Sequence, residues 1–269
     1  MPGLAKVLEG VLRFRKTVRA DLVKQFERVR DNPNPTAVFF TCMDSRILPA
    51  RFTQSQVGDM FFVRNSGNMI PHARYYGVSG YEVSVTTEPA ALELAVKRGN
   101  IHHVIVCGHS DCKAINMLYN LHQCPKNFDP ESPIDHWLRR NGYNSIQKLE
   151  EHLKAGKGTL LEFSADKPAL LSFTAQIDPE NRMNVEDKLS QINTLQQLIH
   201  VASHGFLHEF LEKGLVHLHA FWFDIYTGDM YMFSKREGKF KIIDEESVNT
   251  LISELNDEIA RKKKLEAKV

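Results

Sequence analysis

Residues that can bind a metal ion stand at two places in the chain. Cys42, Asp44 and Arg46 fall within five positions, directly after the apolar run AVFFT. His109 and Cys112 are separated by two residues and follow the apolar run VIVCG. A thiolate and an imidazole at this spacing can reach one ion, and Cys42 could join them from a neighbouring strand. The pattern therefore indicates a zinc site with a Cys, His, Cys ligand set.

Three ligands favour a catalytic zinc site over a structural one. Closed structural sites normally use four protein ligands, whereas an open fourth position holds water or substrate. The carboxylate of Asp44 could accept a hydrogen bond from that water, and the guanidinium of Arg46 would hold the carboxylate ionised and oriented. The alternative is that Cys42 and Cys112 are small buried apolar residues and His109 is a satisfied turn residue.

The segments around these residues predict a parallel sheet. Apolar runs at 37–42, 59–65 and 101–109 are typical of strands, and EPAALELAVKRGN, between the last two, has the proline, alanine, leucine and glycine pattern of a helix. Strands separated by a helix form a βαβ unit and hence a parallel sheet. Because ligands gather at the carboxyl ends of such strands, we expect Cys42 and His109 at the same edge.

The predicted fold class is α/β, with a central, mostly parallel sheet flanked by helices. Two strands around a turn at residues 227–229 predict antiparallel strands at the edge of the sheet. The length fits a single domain over residues 1–269. Within it we predict an N-terminal helical arm at 1–35, an irregular helical excursion at 122–182, a long helix at 185–213 and a C-terminal helix at 240–269.

Composition and charge exclude several classes of partner. Lys and Arg number 34 against 33 Asp and Glu, so no overall field favours nucleic acid. No apolar run reaches the roughly 18 residues of a membrane span, so we expect no membrane contact. Four cysteines in 269 residues favour metal binding over a secreted disulfide scaffold, and hence an intracellular protein of the cytoplasm or the mitochondrial matrix. The basic N-terminal stretch is either a packing helix or a mitochondrial presequence.

Two short motifs resemble those of a known enzyme family. CMDSR at 42–46 and HSDC at 109–112 resemble the C-x-D-x-R and H-x-x-C signatures of the β-class carbonic anhydrases, and VRNSGN and SPIDHWLRRNG extend the resemblance. The likeness is greatest to the animal branch. It implies one Zn²⁺ per subunit, bound by Cys42, His109 and Cys112, with Asp44 and Arg46 as a catalytic pair. A zinc-bound hydroxide would then reversibly hydrate carbon dioxide to bicarbonate and a proton.

The resemblance also implies a substrate pocket and an assembly. In some relatives the aspartate, here Asp44, becomes a zinc ligand in a closed form, and those relatives carry a tryptophan where this chain has Phe39. We therefore expect the open form. Subunits in the family join through their sheets and N-terminal helices, so we expect a homodimer, with a tetramer as the doubled assembly. The residues expected to line the pocket are Phe61, Ser66, Gly67, Leu94 and Gly108.

Two other functions are open on the sequence alone. One is hydrolysis of another linear heterocumulene, carbon disulfide or carbonyl sulfide, since the same nucleophile could attack any of them. The other is a non-catalytic, zinc-stabilised binding module in which Asp44 permanently fills the fourth position. Arg46 argues against the module, because a permanent metal ligand would not need that partner.

The remaining histidines give weaker signals. His200, His204 and His208 recur at four-residue spacing, which predicts a partly buried or interfacial helix face rather than a second metal site. His72 lies in a loop near the predicted site and is a candidate proton shuttle. Because two thiolates neutralise the charge of Zn²⁺, we also predict that activity rises with pH through the neutral region.

Overall fold

Eight strands are found in the described part of the chain. The structure is a computed structural model that describes residues 2–75, 86–156 and 158–266. The strands are β1 (Ala37–Cys42), β2 (Met60–Asn65), β3 (His103–His109), β4 (Leu160–Ser164), β5 (Ser172–Gln176), β6 (His217–Phe223), β7 (Met230–Ser234) and β8 (Lys239–Ile242).

Six of the strands form the central sheet, in the order β2-β1-β3-β6-β7-β8. The first four in this order are parallel, and β7 and β8 are antiparallel. This arrangement confirms the predicted α/β fold with antiparallel strands at one edge. Strands β4 and β5 pair with each other in a separate antiparallel sheet.

Strand β1 lies inside the sheet because its sequence is apolar on both faces. All six of its residues are buried. Val38, Phe40 and Cys42 face the main core, whereas Phe39 contacts the rings of Phe62 and Phe221 on the opposite face. A continuous apolar run is what a parallel strand covered on both sides requires. The strand therefore ends with Cys42 already inside the protein.

Nine α-helices and two short 3₁₀ helices, Ala73–Tyr75 and Pro125–Asn127, occur among the described residues. The α-helices are α1 (Pro2–Thr17), α2 (Arg19–Val29), α3 (Pro49–Phe52), α4 (Thr87–Leu92), α5 (Lys113–Gln123), α6 (Pro133–Ala155), α7 (Val185–Ala202), α8 (Gly205–Glu212) and α9 (Val248–Glu266). A π-helical turn, Glu93–Arg98, continues α4. Helix α6 begins at Pro133, and the hydroxyl of Ser132 accepts a hydrogen bond from the backbone N–H of Asp135.

Helix α7 is the central helix of the core. It packs on β3 and β6 and also contacts α5 and α6. Gly108 permits the closest approach, since a Cβ atom there would lie 2.1 Å from Thr194 Oγ1. The strand that carries His109 is thus in direct contact with α7.

Three predicted segments differ from the structure. The excursion at 122–182 contains a regular 23-residue helix, α6, and the β4–β5 hairpin, so it is neither irregular nor wholly helical. The pattern at 185–213 is two helices, because His204 has an extended backbone between α7 and α8. The segment at 240–269 starts within β8 before α9 begins, and residues 267–269 lie outside the described part. The strands were missed because each is only four or five residues long. Helix α6 was missed because it contains Asn141, Gly142 and Asn144, which have low helix propensity.

Candidate metal centre

Two adjacent parallel strands and one helix start bring the predicted metal ligands together. Cys42 ends β1, His109 ends β3, and Cys112 immediately precedes α5. The Sγ atoms of Cys42 and Cys112 lie 3.8 Å apart. All three side chains are buried, and each offers a ligand atom within 4.8 Å of the other two. The structure therefore assembles the ligand set that the two motifs predicted.

His109 is held in the orientation that a metal ligand requires. Its Nδ1–H donates a hydrogen bond of 2.8 Å to the carbonyl oxygen of Ser110. This bond leaves the lone pair on Nε2, which is buried and has no hydrogen-bond partner in the part of the chain that the structure describes. Such an unpaired buried atom costs about 1–3 kcal/mol. An ion bound between Nε2 and the two sulfurs would remove that cost, so these residues fit zinc.

The thiols of Cys42 and Cys112 are close enough to hydrogen-bond to each other. This contact lowers the pKa of Cys42 below its ordinary value. The same contact, together with burial, raises the pKa of Cys112 well above its ordinary value. The pair is thus asymmetric, with Cys42 the more easily deprotonated thiol, and binding of a divalent cation would deprotonate both.

Asp44 and Arg46 form a two-point ion pair beside the ligands. The Nε and Nη2 atoms of Arg46 donate to Asp44 Oδ1 and Oδ2 at 3.0 and 2.6 Å, and the Arg46 backbone N–H also donates to Oδ1. These bonds hold the pKa of Asp44 well below its usual range. Asp44 is not a member of the ligand cluster, which among the described residues consists of Cys42, His109 and Cys112.

Asp111 is a member of the site that the sequence did not reveal. Its carboxylate accepts a 2.8 Å hydrogen bond from Arg46 Nη1, and its backbone carbonyl accepts another of 2.9 Å from Nη2. The bonds from Arg46 and from Lys113 lower the pKa of Asp111 to about 2. A second acid beside Cys112 in the motif HSDC was the available signal, but its partner lies 65 residues away. Arg46 therefore links the segment after β1 to the turn after β3.

The predicted pocket residues lie in different environments. Phe61 and Leu94 have 40% and 59% of their surface exposed, whereas Gly67 is buried in the loop after β2. The hydroxyl of Ser66 lies 3.5 Å from Met43 Sδ, and its carbonyl accepts a hydrogen bond from Trp137. Gly108 contacts α7 rather than open space. Their role in a substrate pocket stays a prediction.

The other histidines lie apart from the ligand cluster. His72 is buried, and burial lowers its pKa to about 4, so it is neutral at physiological pH. This property does not suit a proton shuttle working near pH 7. His200 and His204 are also buried and hydrogen-bond to the carbonyls of Ile70 and Pro71. Each of these two therefore has a structural partner. The prediction that His200, His204 and His208 share one helix face is wrong, because His204 lies at the break between α7 and α8 and the half-buried His208 belongs to α8.

Comparison with known proteins identifies the family. The family model described as carbonic anhydrase matches residues 37–230. Beta carbonic anhydrase 1 of Caenorhabditis elegans is 62% identical over 251 residues, which are 93% of this chain and 92% of that protein. The protein of the same name from Caenorhabditis briggsae is 58% identical, over 93% of this chain and 92% of its own length.

Solved structures agree at the level of the fold. The β-carbonic anhydrase CcaA superposes with a TM-score of 0.70 at 23% identity, covering 91% of this chain and 94% of that one. A structure of the tetrameric β-carbonic anhydrases of Sordaria macrospora gives 0.60 at 17% identity, covering 86% and 97%. The parallel sheet and its Cys, His, Cys site are those of a zinc enzyme. The chain belongs to the carbonic anhydrase family, in its β class.

Proposed function

We propose that the protein catalyses the reversible hydration of carbon dioxide to bicarbonate and a proton. The observation that carries this proposal is the buried cluster of Cys42, His109 and Cys112 with the Asp44–Arg46 pair beside it. Zinc bound by these three ligands supplies a Lewis acid that makes water a nucleophile near neutral pH. The identity of 62% to a curated β-carbonic anhydrase supports the same activity.

Each protein group in the site has a separate task. The thiolates and the Nε2 atom of His109 would hold the ion, and the His109–Ser110 hydrogen bond places the ring proton of the neutral imidazole on Nδ1, which leaves the Nε2 lone pair for the metal. Asp44 stays ionised because Arg46 lowers its pKa, so it can accept a hydrogen bond from the attacking water and orient it. Arg46 is itself held by Asp111, which keeps the carboxylate of Asp44 fixed during turnover.

The geometry supports the open form of the site. Both oxygens of Asp44 are bonded to Arg46, and only 11% of the Asp44 side chain is exposed. A permanent fourth ligand would have to give up these bonds and leave Arg46 with Asp111 alone. This argues against the non-catalytic zinc module. A site that hydrolyses carbon disulfide or carbonyl sulfide would use the same groups, so substrate comparison must separate that alternative.

Stopped-flow hydration of carbon dioxide tests the proposal. Asp44→Asn should lower kcat at least about tenfold while the zinc content stays unchanged. The substitution replaces a carboxylate oxygen, which accepts a hydrogen bond from water, with an amide NH₂ group that donates one. Asp257→Asn is the matched control, since Asp257 pairs with Arg236 at an exposed site. Zinc-loaded protein that hydrates no carbon dioxide would refute the main proposal. Activity on carbon disulfide or carbonyl sulfide alone would favour the alternative.

We further propose that the protein is a homodimer, with a tetramer as the doubled assembly. Leu4, Val7, Leu8 and Val11 form a stripe along α1, and each is 57–61% exposed. An exposed stripe of this kind marks an interaction surface. The exposed Phe61 and Leu94 also suit coverage by a second subunit.

Light scattering after size exclusion tests the dimer. Leu8→Asp places a charge in the α1 stripe and should shift the mass toward the monomer. Leu160→Asp is the control, because Leu160 lies in β4 with almost the same exposure, 60% against 61%. An unchanged mass for Leu8→Asp would show that α1 is not part of the subunit interface.

We also propose a cellular location from the chemistry of the cysteine ligands. In the described residues no helix is long and apolar enough to cross a membrane. Cys42 and Cys112 must stay reduced to bind a metal, and the cytosol and the mitochondrial matrix keep thiols reduced. These two compartments are therefore our proposal, and organelle fractionation would test it.

A further inference from the structure

Helix α7 is buried on nearly every side, yet it carries many polar residues. Buried polar positions on it include Ser190, Asn193, Thr194, Gln197 and His200. A helix buried all round is expected to be apolar, because a buried polar group without a hydrogen bond destabilises the fold. The hydrogen-bond partners of these residues therefore show what the helix does.

The first set of partners is the turn that carries two metal ligands. Ser190 Oγ donates a 2.7 Å hydrogen bond to the carbonyl oxygen of His109. One turn earlier, Asp187 Oδ1 accepts a 2.7 Å bond from the backbone N–H of Asp111. Asp111 has a φ of 47°, in the left-handed region that a non-glycine residue adopts only at a cost. The two side chains thus hold a strained turn between His109 and Cys112.

The second set of partners is the loop after β2. Asn193 Nδ2 donates a 3.1 Å hydrogen bond to the carbonyl oxygen of Gly67. Gln197 Oε1 accepts a 2.7 Å bond from the backbone N–H of Ile70. This loop begins directly after Asn65, which is the register partner of Cys42 in the β1–β2 pairing and whose carbonyl oxygen accepts a 2.9 Å hydrogen bond from the backbone N–H of Met43. The loop therefore reaches the third metal ligand from the other side.

Asn193 and Gln197 act as one unit. Gln197 Nε2 donates to Asn193 Oδ1 at 3.0 Å, and the same oxygen accepts a 3.0 Å bond from the hydroxyl of Ser145 on α6. All the polar atoms of Asn193 are thereby used. Its amide cannot rotate without losing several bonds, so the position of Gly67 is fixed through a rigid side chain.

We propose that Asp187, Ser190, Asn193 and Gln197, here named the α7 polar ladder, are positioning residues for the metal centre. The ladder holds the His109–Cys112 turn and the Gly67 loop at fixed positions on one helix. Metal–ligand distances tolerate deviations of only about 0.2 Å, so a small shift of either segment weakens the site. This inference rests on the zinc site of the proposed function.

The test compares two substitutions at opposite ends of Asn193. Asn193→Ala removes the bond to Gly67 together with the bonds from Gln197 and Ser145. Ser145→Ala removes only the last of these bonds and leaves the Gly67 contact in place. Zinc affinity is measured by competition with a chromophoric chelator, and thiolate-to-metal absorption is recorded after substitution with Co²⁺. Asn193→Ala should weaken zinc binding about tenfold or more and shift the absorption band. Ser145→Ala should lower thermal stability while both metal readouts stay unchanged.

The outcomes separate this inference from the proposed function. Equal zinc affinity and equal Co²⁺ spectra in the two variants would overturn the ladder, because Asn193 would then be structural only. If Asn193→Ala does not fold, Ser190→Ala is used instead, since it removes the hydrogen bond to the carbonyl of His109. We expect the same loss of zinc affinity, and an unchanged affinity and Co²⁺ spectrum would again refute the ladder. Wild-type protein that binds no zinc would overturn the proposed function together with the ladder.

Discussion

Substitution of Gly108 by alanine tests how closely the site depends on α7. Gly108 precedes His109 in β3 and lies against Thr194 in the middle of α7. An added Cβ would lie 2.1 Å from Thr194 Oγ1 and 3.2 Å from a ring atom of Trp222. Thr194 cannot easily move aside, because it is fully buried and its hydroxyl donates a 2.8 Å hydrogen bond to the carbonyl oxygen of Ser190.

The magnitude follows from the size of this overlap. Real Cβ atoms essentially never approach closer than 3.0 Å, so strand and helix must separate by about 1 Å. Overpacking of this kind costs about 1–3 kcal/mol of unfolding free energy. The separation also moves Ser190 away from the carbonyl of His109, so we expect zinc affinity to fall together with stability.

A double-mutant cycle measured by urea unfolding gives a decisive readout. Thr194→Ala removes the clashing oxygen. The double variant Gly108→Ala/Thr194→Ala should therefore lose about 1–2 kcal/mol less unfolding free energy than the two single variants lose together. Gly10→Ala is the control, since a Cβ at that helical position meets only the Arg13 guanidinium at 3.8 Å. Strict additivity of Gly108→Ala and Thr194→Ala would show that the helix–strand contact is not what Gly108 protects.

Two further predictions concern protons and metal. Burial lowers the pKa of His200 to about 3, against an ordinary 6.5, so the unfolded chain takes up the proton first as the pH falls. The contribution of His200 to stability is therefore complete above pH 6.5 and decreases as the pH falls toward the pKa of the folded state. Urea unfolding at several pH values should show this loss of stability. In His200→Asn the loss of stability between these pH values should be smaller. Removal of zinc by a chelator should lower the melting temperature in calorimetry, because free metal at about 1,000 times Kd contributes about 4 kcal/mol. A melting temperature insensitive to chelator would contradict the assigned ligand set.

Local sequence was sufficient where a signal lies within a few residues. The buried strand β1 is a continuous apolar run, and the two-residue gap between His109 and Cys112 is typical of metal ligands at a turn. Both features depend only on side-chain type and spacing, so the parallel sheet and its ligand set could be predicted. The β4–β5 hairpin was missed although SFTAQ in β5 alternates polar and apolar residues, because each strand is only five residues long and lies in a polar segment. The break at His204 was missed because helices stand on both sides of it.

The tertiary structure decided the contacts that join distant segments. The sequence placed Asp44 and Arg46 side by side, but only the fold showed that Arg46 also binds Asp111. It likewise gave the α7 polar ladder its partners, since the bond between Asn193 and Gly67 spans 126 residues. The sequence by itself determined which residues can bind zinc, because metal binding depends on ligand chemistry. The tertiary structure decided which contacts hold those ligands in place. Each such buried hydrogen bond joins two segments that are far apart in the chain, and neither segment alone reveals its partner.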